Sequence, residues 1–173
     1  LSAEPSTTSS NNSVLVTGEG SAWNGSTIAV GFSGSGNSLV ISNGGTVANG
    51  FGYIGDRATS SNNSALVTGS NSVWTNSGEF TVGVSGAGNT LTLADGGALA
   101  ASNIIVASAA GSSGTLNIGR FGTNDTGGTI VAPTVAFGDG TGAINFNQSD
   151  AVSITSAISG AGTIHQLGGG ATT

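Results

Sequence analysis

Short apolar tracts recur along the chain, and within them apolar side chains alternate with small polar ones. In chain order they are Val14–Val16, Ile28–Val30, Leu39–Ile41, Tyr53–Ile54, Ala65–Val67, Phe80–Val82, Leu91–Leu93 and Ile104–Val106. Leu116–Ile118, Ile130–Val131, Val135–Phe137, Ile144–Phe146, Val152–Ile154 and Ile164 follow. A period of two is the signature of a strand with one buried face. Between the tracts stand turn residues such as Asn43-Gly44-Gly45, Asp95-Gly96-Gly97, Thr17-Gly18 and Thr68-Gly69. No stretch carries the apolar spacing of an amphipathic helix. The pattern predicts an all-β chain with two strands in each unit of about 25 residues.

The tracts belong to a repeat. SNNSVLVTGEGSAW, from Ser10, returns from Ser61 as SNNSALVTGSNSVW, which places Trp23 opposite Trp74. VGFSGSGNSLVISNGGTVA, from Val30, returns from Val82 as VGVSGAGNTLTLADGGALA. A half-repeat lies inside each unit: Asn12, Asn37, Asn63 and Asn89 follow one another at a nearly constant step, and Gly114-Thr115-Leu116-Asn117-Ile118 continues the series. A β-sandwich matches the turn spacing but gives no reason for a sequence period. A right-handed parallel β-helix does, because each coil stacks on an equivalent coil. About six coils of about 25 residues are expected, a rod roughly 30 Å long at about 4.8 Å per coil. In that fold the four asparagines share one turn position and are expected to form a side-chain amide ladder. Residues 1–10 read as a flexible lead-in and 11–173 as a single β-helix domain. Its coils are regular over 11–119 and irregular over 120–173, with Phe121–Thr129 as a loop off the stack.

Composition narrows the picture. Gly, Ser, Thr and Asn fill 95 of 173 positions, yet there are only two Pro and no Lys, and the mean hydropathy is +0.20. Spaced β-branched residues with so little Pro and charge argue for a fold, not disorder. The absence of Cys excludes a disulfide scaffold and a thiolate zinc site. Two arginines against eight acids give a net charge of −6, which argues against a nucleic-acid or anionic-membrane partner. No apolar run is long enough to span a membrane as a helix, and no signal-peptide pattern or initiator Met opens the chain. It therefore reads as an interior or processed piece of a longer protein.

Candidate chemistry is sparse. Gly50–Gly55 and Gly138–Ala143 match dinucleotide-type glycine patterns, but neither has a helix to open, so neither is expected to hold a phosphate. His165 is the single histidine and has no triad context. Asp139 and Asp150 are the one carboxylate pair worth considering for glycan cleavage, and the Asp56/Arg57 and Arg120/Asp125 pairs read equally as surface ion pairs. No catalytic residue, metal ligand or cofactor is assigned. Trp23 and Trp74 read as a packed corner or as an aromatic platform for a sugar or protein partner. Phe51, Tyr53, Phe80, Phe137 and Phe146 are expected in the core.

The segments NSLVISNGGTV (from Asn37), NTLTLADGGAL (from Asn89), VTGSNSVW (from Val67) and GTLNIG (from Gly114) resemble the passenger domains of bacterial autotransporters. AISGAGTIHQLGGGATT, from Ala157, resembles the opening of their passenger-associated repeat. The resemblance implies a β-helical passenger, secreted or displayed outside the outer membrane, and functions that include adhesion, self-association, proteolysis and toxicity. The expectation drawn from it is a non-enzymatic adhesive or self-associating segment whose partner is a host-surface protein, a glycan or itself. A soluble effector that binds a host receptor through the Phe121–Thr129 loop, a β-helical polysaccharide-degrading enzyme and a plain spacer are the alternatives.

Overall fold

A computed structural model describes residues 9–173. Most of the lead-in expected over residues 1–10 lies outside them. The chain winds as a β-solenoid of about six turns. The first turn contains β1 (Ser13–Thr17), β2 (Ala22–Asn24) and β3 (Thr27–Val30). The second contains β4 (Ser38–Ser42), β5 (Thr46–Asn49) and β6 (Phe51–Ile54), and the third β7 (Ser64–Thr68), β8 (Val73–Asn76) and β9 (Phe80–Val82). Next come β10 (Asn89–Ala94), β11 (Ala98–Ala100) and β12 (Ile104–Val106), then β13 (Ser113–Ile118), β14 (Thr129–Val131) and β15 (Thr134–Phe137). The final strands are β16 (Thr141–Phe146), β17 (Ala157–Ser159) and β18 (Thr163–Gln166).

Three parallel sheets result. The first stacks β1, β4, β7, β10, β13, β16 and β18; the second β2, β5, β8, β11 and β14; the third β3, β6, β9, β12, β15 and β17. There are thus three strands per turn where the sequence pattern predicts two. The additional tracts, such as Thr46–Asn49 and Ala98–Ala100, are three or four residues long and carry few inward-facing apolar side chains. Such tracts are too short for alternation to register. They become strands because the turns above and below supply their hydrogen bonds.

Each inward position forms a column through the stack. Val16, Ile41, Val67, Leu93, Ile118 and Phe146 make one, and Trp23, Val47, Trp74, Leu99 and Ile130 another. Ile41, Val67, Leu93 and Ile118 are fully buried, and each such side chain contributes about 1.5–3 kcal/mol of hydrophobic stabilisation. Size is balanced between neighbouring turns. In the third sheet Gly52 faces Phe80, and a Cβ on Gly52 would stand 2.5 Å from the Phe80 ring. That ring meets Trp74 edge-on, with centroids 4.8 Å apart.

Turn length is nearly constant through the first four steps, as the register Ser13–Ser38–Ser64–Thr90–Thr115 shows. It lengthens between Gly114 and Gly142, then shortens between Ala143 and Thr163. The lengthening is an excursion between β13 and β14. The shortening skips the second sheet. No helix occurs among the described residues, so none is long and apolar enough to cross a membrane.

Candidate functional site

The four asparagines of the repeat stack at the entry to the first sheet. Asn12 Nδ2 donates to Asn37 Oδ1 at 2.9 Å, Asn37 Nδ2 to Asn63 Oδ1 at 3.0 Å, and Asn63 Nδ2 to Asn89 Oδ1 at 3.1 Å. Each of those oxygens also accepts the backbone N–H of the preceding asparagine, at 3.1, 2.9 and 3.0 Å. The double acceptance fixes which amide atom is oxygen, and so gives the ladder a direction. It ends at Asn89, whose Nδ2 is buried without a partner. The next position is Gly114, where a Cβ would stand 2.1 Å from the Val82 carbonyl oxygen. No side chain fits there to continue the ladder.

Trp23 and Trp74 occupy one column of the second sheet, two turns apart, with Val47 between them. Trp74 is fully buried, and its Nε1 donates to Asn49 Oδ1 at 2.7 Å. Asn49 Nδ2 in turn donates to Asn76 Oδ1 at 2.6 Å, a short second ladder inside the stack. Trp23 is half-buried and lines a cavity of about 300 Å³ at the mouth of the first turn, with Val14, Phe32 and Leu39. The two rings form no exposed platform. Phe51, expected in the core, is 47% exposed and points outward from the third sheet. Its inward neighbour is Gly52, because Phe80 from the next turn fills the space that a side chain at 52 would take.

Among the described residues the charged groups lie in the turns and loops between strands. Asp139 and Asp150 flank opposite ends of the extended six-residue β16, which itself spans about 17 Å at about 3.3 Å per residue, longer than the roughly 5–10 Å between the carboxylates of a glycosidase pair. Asp150 Oδ1 instead accepts the Gly127 N–H at 2.7 Å. Arg120 gathers Asp125 and, from the turn before, Asp95 at 3.3 Å. Its guanidinium hydrogen bond holds the Asp125 carboxyl below the usual carboxylate range. The Phe121–Thr129 loop is thereby clamped, helped by Ser149, whose hydroxyl donates to the Asn124 and Asp125 carbonyls. Phe121 stands 77% exposed on it. His165 lies on an exposed outer position beside Asn145. Neither glycine pattern forms a phosphate loop: residues 51–54 of the first are β6 itself, and the second runs into β16. Among the described residues no three His, Asp or Glu side chains gather where they would hold a metal ion.

The first sheet presents the widest outer face, seven strands against five and six. No Asp, Glu, Lys or Arg lies on its strands, nor on any strand of the other two sheets. One column runs Ser13, Ser38, Ser64, Thr90, Thr115; beside it run Leu15, Val40, Leu66, Thr92, Asn117, Asn145; then Thr17, Ser42, Thr68. Leu15 is 63% exposed, and Val40 and Leu66 are half-buried. Side chains along the face bond to each other: Ser42 Oγ donates to Thr17 Oγ1 at 2.9 Å and Asn145 Nδ2 to Asn117 Oδ1 at 3.0 Å. The result is a flat, regular lattice of hydroxyls and amides around an aliphatic stripe. The composition predicts faces of low charge, and the placed turns carry this further: every charged side chain of residues 9–173 falls outside the strands. No known protein family, curated protein or solved structure matches the chain.

Proposed function

We propose that the chain is a non-enzymatic segment of a secreted or surface-displayed β-helical protein, of the autotransporter-passenger kind, and acts by adhesion, chiefly to its own kind. The outer face of the first sheet, free of charged residues like the other two but the widest of the three and crossed by the Leu15–Val40–Leu66 stripe, carries this reading. In a molecule of net charge −6, two copies meeting on any acidic face repel each other, and on this face they do not. The aliphatic stripe Leu15–Val40–Leu66 supplies the dehydration energy and the flanking Ser and Thr columns supply hydrogen bonds. Seven strands at about 4.8 Å and five residues at about 3.3 Å give a face of about 500 Å². That is below the roughly 800 Å² per partner of a stable complex. Association of single chains is therefore weak, and it strengthens where many copies are arrayed on one surface.

Sedimentation velocity over a wide concentration range tests this. The average mass of the native chain should rise with concentration, while Leu66→Glu, which sets a charge at the centre of the face, should remain monomeric. A native chain that stays strictly monomeric at high concentration overturns the reading. The clamped, exposed Phe121 favours a receptor-binding effector as the second reading, in which Phe121→Ala loses binding to a host surface and Leu66→Glu does not.

A further inference from the structure

The third sheet carries a different kind of surface. Phe51 and Tyr53 project from β6 on the same side, two residues and about 6.6 Å apart. The register sets Glu79 beside Phe51 in the next turn and Asn103 beside Glu79, while Thr81 lies beside Tyr53. An edge of the Phe51 ring lies against that turn: a Cβ on Gly78 would stand 2.7 Å from Phe51 Cε1. The ring is anchored there by its edge and remains 47% exposed.

The Glu79 carboxylate here is held but not neutralised. Glu79 Oε1 accepts the Thr81 hydroxyl at 3.1 Å, and Glu79 Oε2 accepts Asn103 Nδ2 at 3.0 Å, so the group is fixed in orientation by uncharged donors. Asp56 follows β6 in the adjoining turn. Burial pushes its carboxyl above the ordinary value, against a smaller opposing pull from Arg57. Burial likewise raises the Tyr53 phenol, and the charges of Glu79 and Asp56 push it the same way. The two arginines are engaged elsewhere: Arg57 lies over the Phe32 ring at 4.5 Å, and Arg120 pairs with Asp95 and Asp125. Among the described residues no ion pair forms at Glu79 or Asp56.

An exposed aromatic ring anchored at one edge, a second ring beside it and the fixed Glu79 carboxylate make a surface complementary to a cation with an apolar stem. The ring quadrupole attracts the charge, the carboxylate bonds to its N–H groups, and the stem lies along the rings. We propose that Phe51, Tyr53 and Glu79 form a binding site for an arginine or lysine side chain presented by a basic segment of a partner protein. The site lies on a different sheet from the self-association face, so either can fail without the other.

Tyr53 is the single tyrosine of the chain, so its ring signals report on the site alone. The test is titration of the isotopically labelled full chain with a short amide-capped arginine peptide, its lysine and glutamate counterparts, and free arginine amide. The arginine and lysine peptides should shift the Tyr53 signals saturably, with affinity falling as salt is raised, and should draw the phenol's ionisation to lower pH. The glutamate peptide should do neither. Phe51→Ala and Glu79→Gln should each weaken binding about threefold to thirtyfold. Phe51→Leu, which keeps apolar bulk without the ring, serves as a further variant if either of these fails to fold. Unmoved Tyr53 signals overturn the proposal. So does an equal response to the glutamate peptide, or undiminished binding by folded variants. Free arginine amide shifting Tyr53 as strongly as the peptide would show a site for a small cation and overturn the peptide assignment.

Discussion

Asn63→Ala probes the ladder where it is most deeply buried. Asn63 is fully buried, and its Oδ1 is the acceptor for two donors of Asn37, the backbone N–H at 2.9 Å and Nδ2 at 3.0 Å. The substitution leaves both without an acceptor in a site too enclosed for water to enter freely. Each stranded buried donor costs about 1–3 kcal/mol. The bond from Asn63 Nδ2 to Asn89 Oδ1 is lost as well, but Asn89 Oδ1 keeps the backbone N–H of residue 63. The expected loss is therefore about 2–5 kcal/mol, most of it felt one turn away at Asn37. For a chain of this size that lowers Tm by about 5–15 °C. Asn12→Ala is the control. Its Nδ2 makes one ladder bond at the exposed end, and no ladder partner donates to its side chain, so about 0.5–1 kcal/mol is expected. Thermal melts by circular dichroism give the totals, and hydrogen exchange shows where the damage falls. Protection should collapse at the Asn37 amide in Asn63→Ala and remain in Asn12→Ala. Equal destabilisation by the two, or an unchanged exchange rate at Asn37, would refute a ladder that works by satisfying the neighbouring turn.

Two further outcomes follow from the packing and the charges. Gly52→Val drives a side chain into the Phe80 ring and should cost about 1–3 kcal/mol; Phe80→Ala in the same chain should recover part of that loss, visible as a non-additive double-mutant cycle in chemical denaturation. Asp125 has its folded pKa below its unfolded value of about 3.9, so its contribution to stability is present above that pH and is lost as pH falls through the lowered value. Arg120→Gln should remove that acid loss of stability while leaving the solenoid folded at neutral pH, as followed by melts between pH 2 and pH 7, a range chosen to bracket about 3.9.

Much of the fold is legible in the sequence because a solenoid turns tertiary contacts into a one-dimensional period. The even steps between Asn12, Asn37, Asn63 and Asn89 reappear as the register Ser13–Ser38–Ser64–Thr90. The period therefore fixes the parallel stack, the number of turns and the position where like residues meet. What the period does not contain is anything that depends on which neighbour fills a space. By hydrophobicity Phe51 and Tyr53 read as the inward side chains of their tract, yet Gly52 and Ile54 are the buried ones. Only Phe80, entering from the next turn, puts Gly52 inside and Phe51 out. The second sheet leaves little trace in the pattern for the same reason: its short strands are made by the turns above and below, not by their own alternation. The ladder stops at Asn89 because the Val82 carbonyl crowds position 114, a contact between segments more than a full turn apart along the chain. Asp139 and Asp150, close in sequence, are held apart by the extended β16, whereas Arg120 and Asp95, a whole turn apart, are brought together by stacking. The repeat determined by itself where each turn lies; close packing between turns decided which side chains are buried, which are paired and which faces are left for a partner.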